Sequence, residues 1–125
     1  MTNTSQDTVE VSWETLRELD LEGNRVSPDL QKINGAKIKI PGFLIPLEDT
    51  QNDVSEFLLV PSPMACIHVP APPTNQIVLV KMASGRRAAM SYAPIWVYGR
   101  LKIAESQGPY GKVSYTMTGE RTEPY

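Results

Sequence analysis

A chain of 125 residues, 41% of them apolar, is long enough for one domain with its own core and needs no disulfide support. Its net charge of −2 argues against a role built on phosphate contacts, which needs clustered lysine and arginine, so no nucleic-acid partner is expected. No apolar run approaches the ~18 residues of a membrane span, so no transmembrane segment is expected, and a single cysteine excludes an internal disulfide.

Residues 1–11 read as a flexible N-terminal arm. Met-Thr-Asn-Thr-Ser-Gln-Asp lacks the basic and apolar regions of a signal peptide, which fits either a cytoplasmic protein or a mature, trimmed form. Residues 1–30 hold seven acidic side chains against Arg17 and Arg25, and this reads as a solvated acidic face. Ser12 is placed to cap a short helix over Trp13–Leu19, with Trp13, Leu16 and Leu19 along one side, and Gly23-Asn24 breaks it. Ser27-Pro28-Asp29 predicts a second helix, Pro28–Ile33, with Ser27 at the N-cap and Pro28 at the first helical position.

From Ala36 the pattern changes to strand. Ile38 and Ile40 alternate with Lys37 and Lys39; beyond Pro41-Gly42, Phe43, Ile45 and Leu47 continue on the other parity. A glycine there predicts a bulge or a sharp coil, which lets one long strand serve two walls of a small barrel. Glu48–Ser55 reads as a polar loop, Glu56–Val60 as a short strand, and Pro61–Pro73 as irregular, with Ala65–Val69 able to extend. Gln76–Met82 has the apolar run of a buried strand, and Ala83–Ala93 reads as a loop or short helix carrying Arg86 and Arg87.

Ile95–Ile103 is the clearest strand: Ile95, Val97, Leu101 and Ile103 on one face, Trp96, Tyr98, Arg100 and Lys102 on the other. The aromatic and basic face suits single-stranded nucleic acid on an OB barrel, but packing under the N-terminal helices is the expectation taken here. After a turn at Gln107–Gly111, Val113, Tyr115 and Met117 alternate in a last strand ending at Gly119, and 120–125 form a polar tail. Two short helices, then about five strands with no βαβ unit, predict an all-β fold. The preferred form is a five-stranded OB-like Greek-key barrel over residues 12–119, with an open β-sandwich as the alternative.

The chemistry concentrates at Cys66-Ile67-His68, which holds the only cysteine and the only histidine of the chain. In an extended segment, residues i and i+2 share a face, about 6.5–7 Å apart. A thiolate and an imidazole so placed select zinc or copper(I) over magnesium or calcium. Taken singly, a lone cysteine is usually a small buried hydrophobe, and two donors do not complete a site. Glu48, Asp49 and Glu56 are the nearest acidic candidates in sequence, and Glu48 is the expected third ligand. A nucleophilic Cys66 activated by His68 would need an orienting amide, for which Asn75 and Gln76 are the neighbours, and a glycine-rich oxyanion turn that the sequence does not offer. No enzymatic activity is therefore expected. Five prolines between Pro61 and Pro73 stiffen the segment, and Asn75 and Gln76 are expected to tie it back through amide hydrogen bonds.

The stretches Gly35–Glu48, Glu56–Pro61, Ala65–Gln76 and Pro94–Gly99, with Trp13 and Leu16, resemble successive blocks of the bacterial domain-of-unknown-function 3299 family, over about residues 12–118. The resemblance implies an OB-like domain with no established enzymatic activity, and an exported, periplasmic or lipid-anchored location, some members being encoded beside ABC-transporter components that handle metals or lipoproteins. It strengthens a joint role for Cys66 and His68. The resulting expectation is an exported accessory protein that binds zinc, or else copper, through Cys66 and His68 with Glu48 as the weaker third ligand. It would serve metal or envelope ABC transport. Its partner would be a transporter component or a second copy sharing the metal; a metal-free module docking through its proline-rich loop is the alternative.

Overall fold

The computed structural model describes residues 8–19, 26–47, 53–61, 74–108 and 111–125. In chain order these form β1 (Val9–Glu10), α1 (Trp13–Leu16), α2 (Pro28–Ile33), β2 (Lys37–Pro46), β3 (Asp53–Val54), β4 (Glu56–Val60), a 3-10 turn (Thr74–Gln76), β5 (Val78–Met82), β6 (Ala88–Ala89), β7 (Ile95–Gly108) and β8 (Gly111–Pro124). The sheet runs β1-β2-β4-β5-β8-β7, and β7 pairs back onto β2. The five long strands therefore close into a barrel, antiparallel except where β5 lies parallel to β8. This is the small all-β Greek-key barrel of OB type that the patterning predicts.

β2 makes closure possible. Its first half, Lys37–Gly42, pairs with β7, and its second half, Phe43–Pro46, pairs with β4. The hand-over falls at Gly42, as expected, but as a coil rather than a bulge. Ile38, Ile40, Gly42 and Leu44 form one unbroken inward set. A Cβ at Gly42 would lie 2.8 Å from the Val60 carbonyl oxygen and 2.9 Å from Leu59 Cγ, so any side chain would push β4 off the strand. Phe43, Ile45 and Leu47 lie on the outer face of the barrel.

The interior joins Ile38, Ile40, Phe57, Leu59, Val78, Val80, Val97, Leu101, Tyr115 and Met117 with Leu16, Leu30 and Ile33 from the helices, which stop one end of the barrel. Both helices start as their sequences dictate. Ser12 Oγ accepts from Thr15 N at 3.3 Å, and Ser27 Oγ accepts from Leu30 N at 3.2 Å with Pro28 behind it. α1 is shorter than expected, with Arg17 as its C-cap.

Two boundaries move outward. Val9–Glu10, inside the expected arm, pairs in parallel with Ile38 and Lys39, where the N-terminal half of β2 leaves an edge that β4 does not reach. β8 runs through Gly119 to Pro124, paired with β7 along what had read as a polar tail. Gly119 is a point of close approach rather than a stop: a Cβ there would collide with the Met82 thioether. The stretch expected as a loop or short helix holds β6, which pairs with β3.

Candidate functional site

Cys66, His68 and Glu48 lie outside the described residues, as do Asp49 and the Ala65–Val69 stretch. What the structure fixes is the frame from which these residues depart. Phe43 pairs with Val60 at one end of β4, and Pro46 pairs with Phe57 at the other. Leu47 N donates to Glu56 O at 3.3 Å. Pro61 and Leu47, the last described residues before the two groups of candidate ligands, thus stand at opposite ends of β4, roughly 16 Å apart by strand rise. Five residues of chain from Pro61 to Cys66 span at most about 18 Å. A ligand set joining Glu48 to Cys66 would have to close that distance.

That wall is apolar. Alternation sends Phe57 and Leu59 into the barrel and Leu58 and Val60 out of it. Leu58 and Val60 are nevertheless 1% and 0% exposed. They cluster with Ile77, Leu79 and Val113, and Phe43, Ile45 and Leu47 pack beside them. OB domains commonly bind ligands across the face of their second and third strands. Here those strands, β4 and β5, carry a second hydrophobic cluster on that face.

The return of the chain is pinned. Asn75 and Gln76 are 8% and 6% exposed. Gln76 Nε2 donates to Trp13 O at 3.2 Å, and its Oε1 accepts from Arg17 Nε at 3.2 Å. Asn75 Nδ2 donates to Arg17 O at 3.4 Å and Leu19 O at 3.3 Å. The two amides therefore bind carbonyls in and just beyond α1: that of Trp13, which also accepts from Arg17 N, and those of Arg17 and Leu19. The amides of Asn75 and Gln76 tie the segment down as their sequence predicts, and the partner is α1 with the residues just after it, 56 to 63 residues upstream.

Tyr115 completes this end. Its hydroxyl donates to Leu16 O at 2.7 Å from a fully buried ring. Burial, and secondarily the negative charge of Glu18, push its pKa well above the ordinary tyrosine range, so the phenol stays a donor. Trp13 Nε1 donates to Pro41 O at 2.6 Å, fixing α1 to β2 as well.

Among the described residues no three of His, Cys, Asp and Glu gather. With the sole cysteine and histidine elsewhere, this bears only on carboxylates. Asp53 pairs with Arg87 at 2.6 Å and Glu56 with Lys81 at 3.6 Å, so both carboxylates on this side already have cations.

The outer face of β7 corrects an expectation. Trp96 and Tyr98 do not pack under the helices; their partners come from β2 and the C-terminal strand. Lys39 Nζ lies 4.9 Å from the Trp96 ring centre, the Arg121 guanidinium lies 3.9 Å from that of Tyr98, and the Tyr125 ring meets Trp96 at 5.3 Å. Lys39 was visible in the alternation of β2, but Arg121 and Tyr125 were hidden in the supposed tail. The readable signal was the Arg121-x-Glu123-x-Tyr125 spacing, which continues the period of a strand.

The DUF3299 family, described as a protein of unknown function, matches the chain over residues 4–124. The chain belongs to this family. The crystal structure of a DUF3299 family protein from Pseudomonas aeruginosa PAO1 is similar to it, with a TM-score of 0.73 and 29% identity over 94% of this chain and 96% of that one. No curated protein matches. The match to DUF3299 agrees with the blocks read from the sequence and spans the barrel with β1 and all of β8. Among the described residues no helix is long and apolar enough to cross a membrane.

Proposed function

We propose that this DUF3299 protein is an exported bacterial accessory protein that binds a transition metal, zinc or copper, through Cys66 and His68, in the service of metal or envelope ABC transport. The observation that carries the reading is the pairing of the chain's only thiol and only imidazole two residues apart. They lie between two fixed points, Pro61 at the end of β4 and the Thr74–Gln76 turn clamped onto α1. A ligand pair on a short span with held ends loses less conformational freedom on binding than the same pair on a free tail.

The donor chemistry fits the metal. One thiolate and one neutral imidazole suit zinc or copper(I), and either would hold the ion through charge and covalency without redox work by the protein. Two donors leave room for Glu48, water or a second subunit. The positions of Leu47 and Pro61 at opposite ends of β4 make Glu48 the weakest of these, and a shared site in a dimer follows naturally from a two-donor chain.

The test is the metal content of protein purified without an affinity tag, read beside the Cys66→Ser variant. The proposal expects half to one equivalent of zinc or copper in the parent chain and loss of it in the variant. A content below about a tenth of an equivalent, with Cys66→Ser unchanged in thermal stability when metal is added, removes the proposal. That outcome leaves the proline-rich segment as a metal-free docking element.

A further inference from the structure

On the outer wall formed by β2, β7 and β8, the outward positions carry Lys37, Lys39, Arg100, Lys102 and Arg121. Glu10, Glu120 and Glu123 are the carboxylates beside them; Glu10 pairs with Lys39 across β1 and β2, and Glu123 is held by Arg121 and by the Tyr98 hydroxyl at 3.0 Å. Five cations against three carboxylates leave this wall positive on a chain whose net charge is −2. One end of the same wall is aromatic. Tyr92 is 93% exposed and Tyr125 69%, the two most exposed large apolar side chains among the described residues. Both flank the start of β7: Tyr92 precedes it by three residues in the chain, and Tyr125 N donates to Pro94 O at 3.2 Å.

Two kinds of polyanion suit aromatic and basic side chains on a sheet, and the geometry separates them. Single-stranded nucleic acid stacks its bases on open ring faces. Here Trp96 is flanked by Lys39 and Tyr125, and Tyr98 is covered by Arg121. A bilayer surface asks for something else: cations against headgroup phosphates, and amphipathic tyrosine and tryptophan rings at the interface. The wall offers both, side by side. A cleft of about 240 Å³ also opens between Lys37, Tyr98 and Arg121, with Thr8 and Glu120 at its margin, where a headgroup phosphate would meet two cations.

We propose that the β2–β7–β8 wall seats the protein on an anionic lipid bilayer, with Tyr92 and Tyr125 at headgroup depth and Lys37, Arg100 and Lys102 against the phosphates. The seat is on the side of the barrel away from the apolar β4–β5 wall, so it is independent of the metal reading.

Flotation of the full chain with phosphatidylglycerol vesicles and with phosphatidylcholine vesicles tests this. Binding to the first and not the second is expected, falling as salt is raised. Lys37→Gln combined with Lys102→Gln should weaken it roughly 25-fold, about fivefold for each cation lost near an anionic surface. Tyr92→Ser should weaken it several-fold with the fold intact, because that side chain is almost wholly exposed. Lys81→Gln, on β5, should change nothing. Equal binding to both vesicles, binding to neither, or an equal loss in Lys81→Gln overturns the proposal. So does capture of a single-stranded oligonucleotide through Lys37 and Lys102 without any vesicle binding.

Discussion

The two outer walls of this barrel obey the same alternation and end in opposite states. On β4, the residues that alternation turns outward, Leu58 and Val60, are apolar and buried. On β7 the outward residues are Trp96, Tyr98, Arg100 and Lys102, half-buried or exposed, with cations lying over the rings. The difference teaches that inward and outward are not the same as core and surface here. A five-stranded barrel is too small to bury all its apolar side chains inside, and this one places a second cluster on the wall whose strands lead into the Cys66 segment.

The sharpest way to break the comparison is to cut into each wall in turn. Leu58→Ala removes an outward but buried side chain and should cost about 2–5 kcal/mol, the range for a cavity in a true core. Urea denaturation measures it, and a loss under about 0.5 kcal/mol, the range of surface substitutions, would place Leu58 on an ordinary surface.

Tyr115→Phe tests the stopped end, where the wall strands meet α1. It removes the buried hydroxyl donor from Leu16 O, which keeps its bond from Leu19 N at 3.4 Å, and should cost about 0.5–1.5 kcal/mol. The same residue sets a pH dependence. Its pKa is raised in the folded chain, so above about pH 10 the unfolded chain releases a proton that the folded chain keeps. Stability should therefore fall as pH rises beyond that point, by up to about 1.4 kcal/mol per pH unit from this one group, and Tyr115→Phe should flatten the fall. An unchanged alkaline profile in the variant would remove Tyr115 as its cause.

On the open wall, Trp96→Ala should cost about 1 kcal/mol, since it gives up one ring pair and one cation contact at a half-exposed site. Lys102→Gln should stay within about 0.5 kcal/mol of the parent. If Trp96→Ala proved as damaging as Leu58→Ala, the two walls would not differ as described.

Much of this could be read from the residues because the deciding forces are local. Ser27-Pro28 fixes the start of α2, the alternation of β7 fixes its faces, and Gly42 marks the hand-over of β2 between partners. What escaped depends on chain brought from afar. Nothing near Asn75 and Gln76 points to the carbonyls of Trp13 and Arg17, and nothing near β3 names Ala88–Ala89 as its pair. The continuation of β8 past Gly119 reads as a tail because a polar sequence can hold strand geometry when a neighbour such as Ile95–Tyr98 supplies the ladder. The candidate site divides the same way. The Cys66–His68 pair is legible in three letters of sequence, while its missing donors depend on which parts of the chain meet.

Competitive zinc titration of the full chain against a chelator, with Cys66→Ser and His68→Gln beside it, tests that pair most directly. The account predicts that each substitution weakens zinc binding by on the order of 100-fold or more. It predicts a smaller loss for Glu48→Gln. Affinity that is the same in all four chains, or lost only in Glu48→Gln, would contradict it.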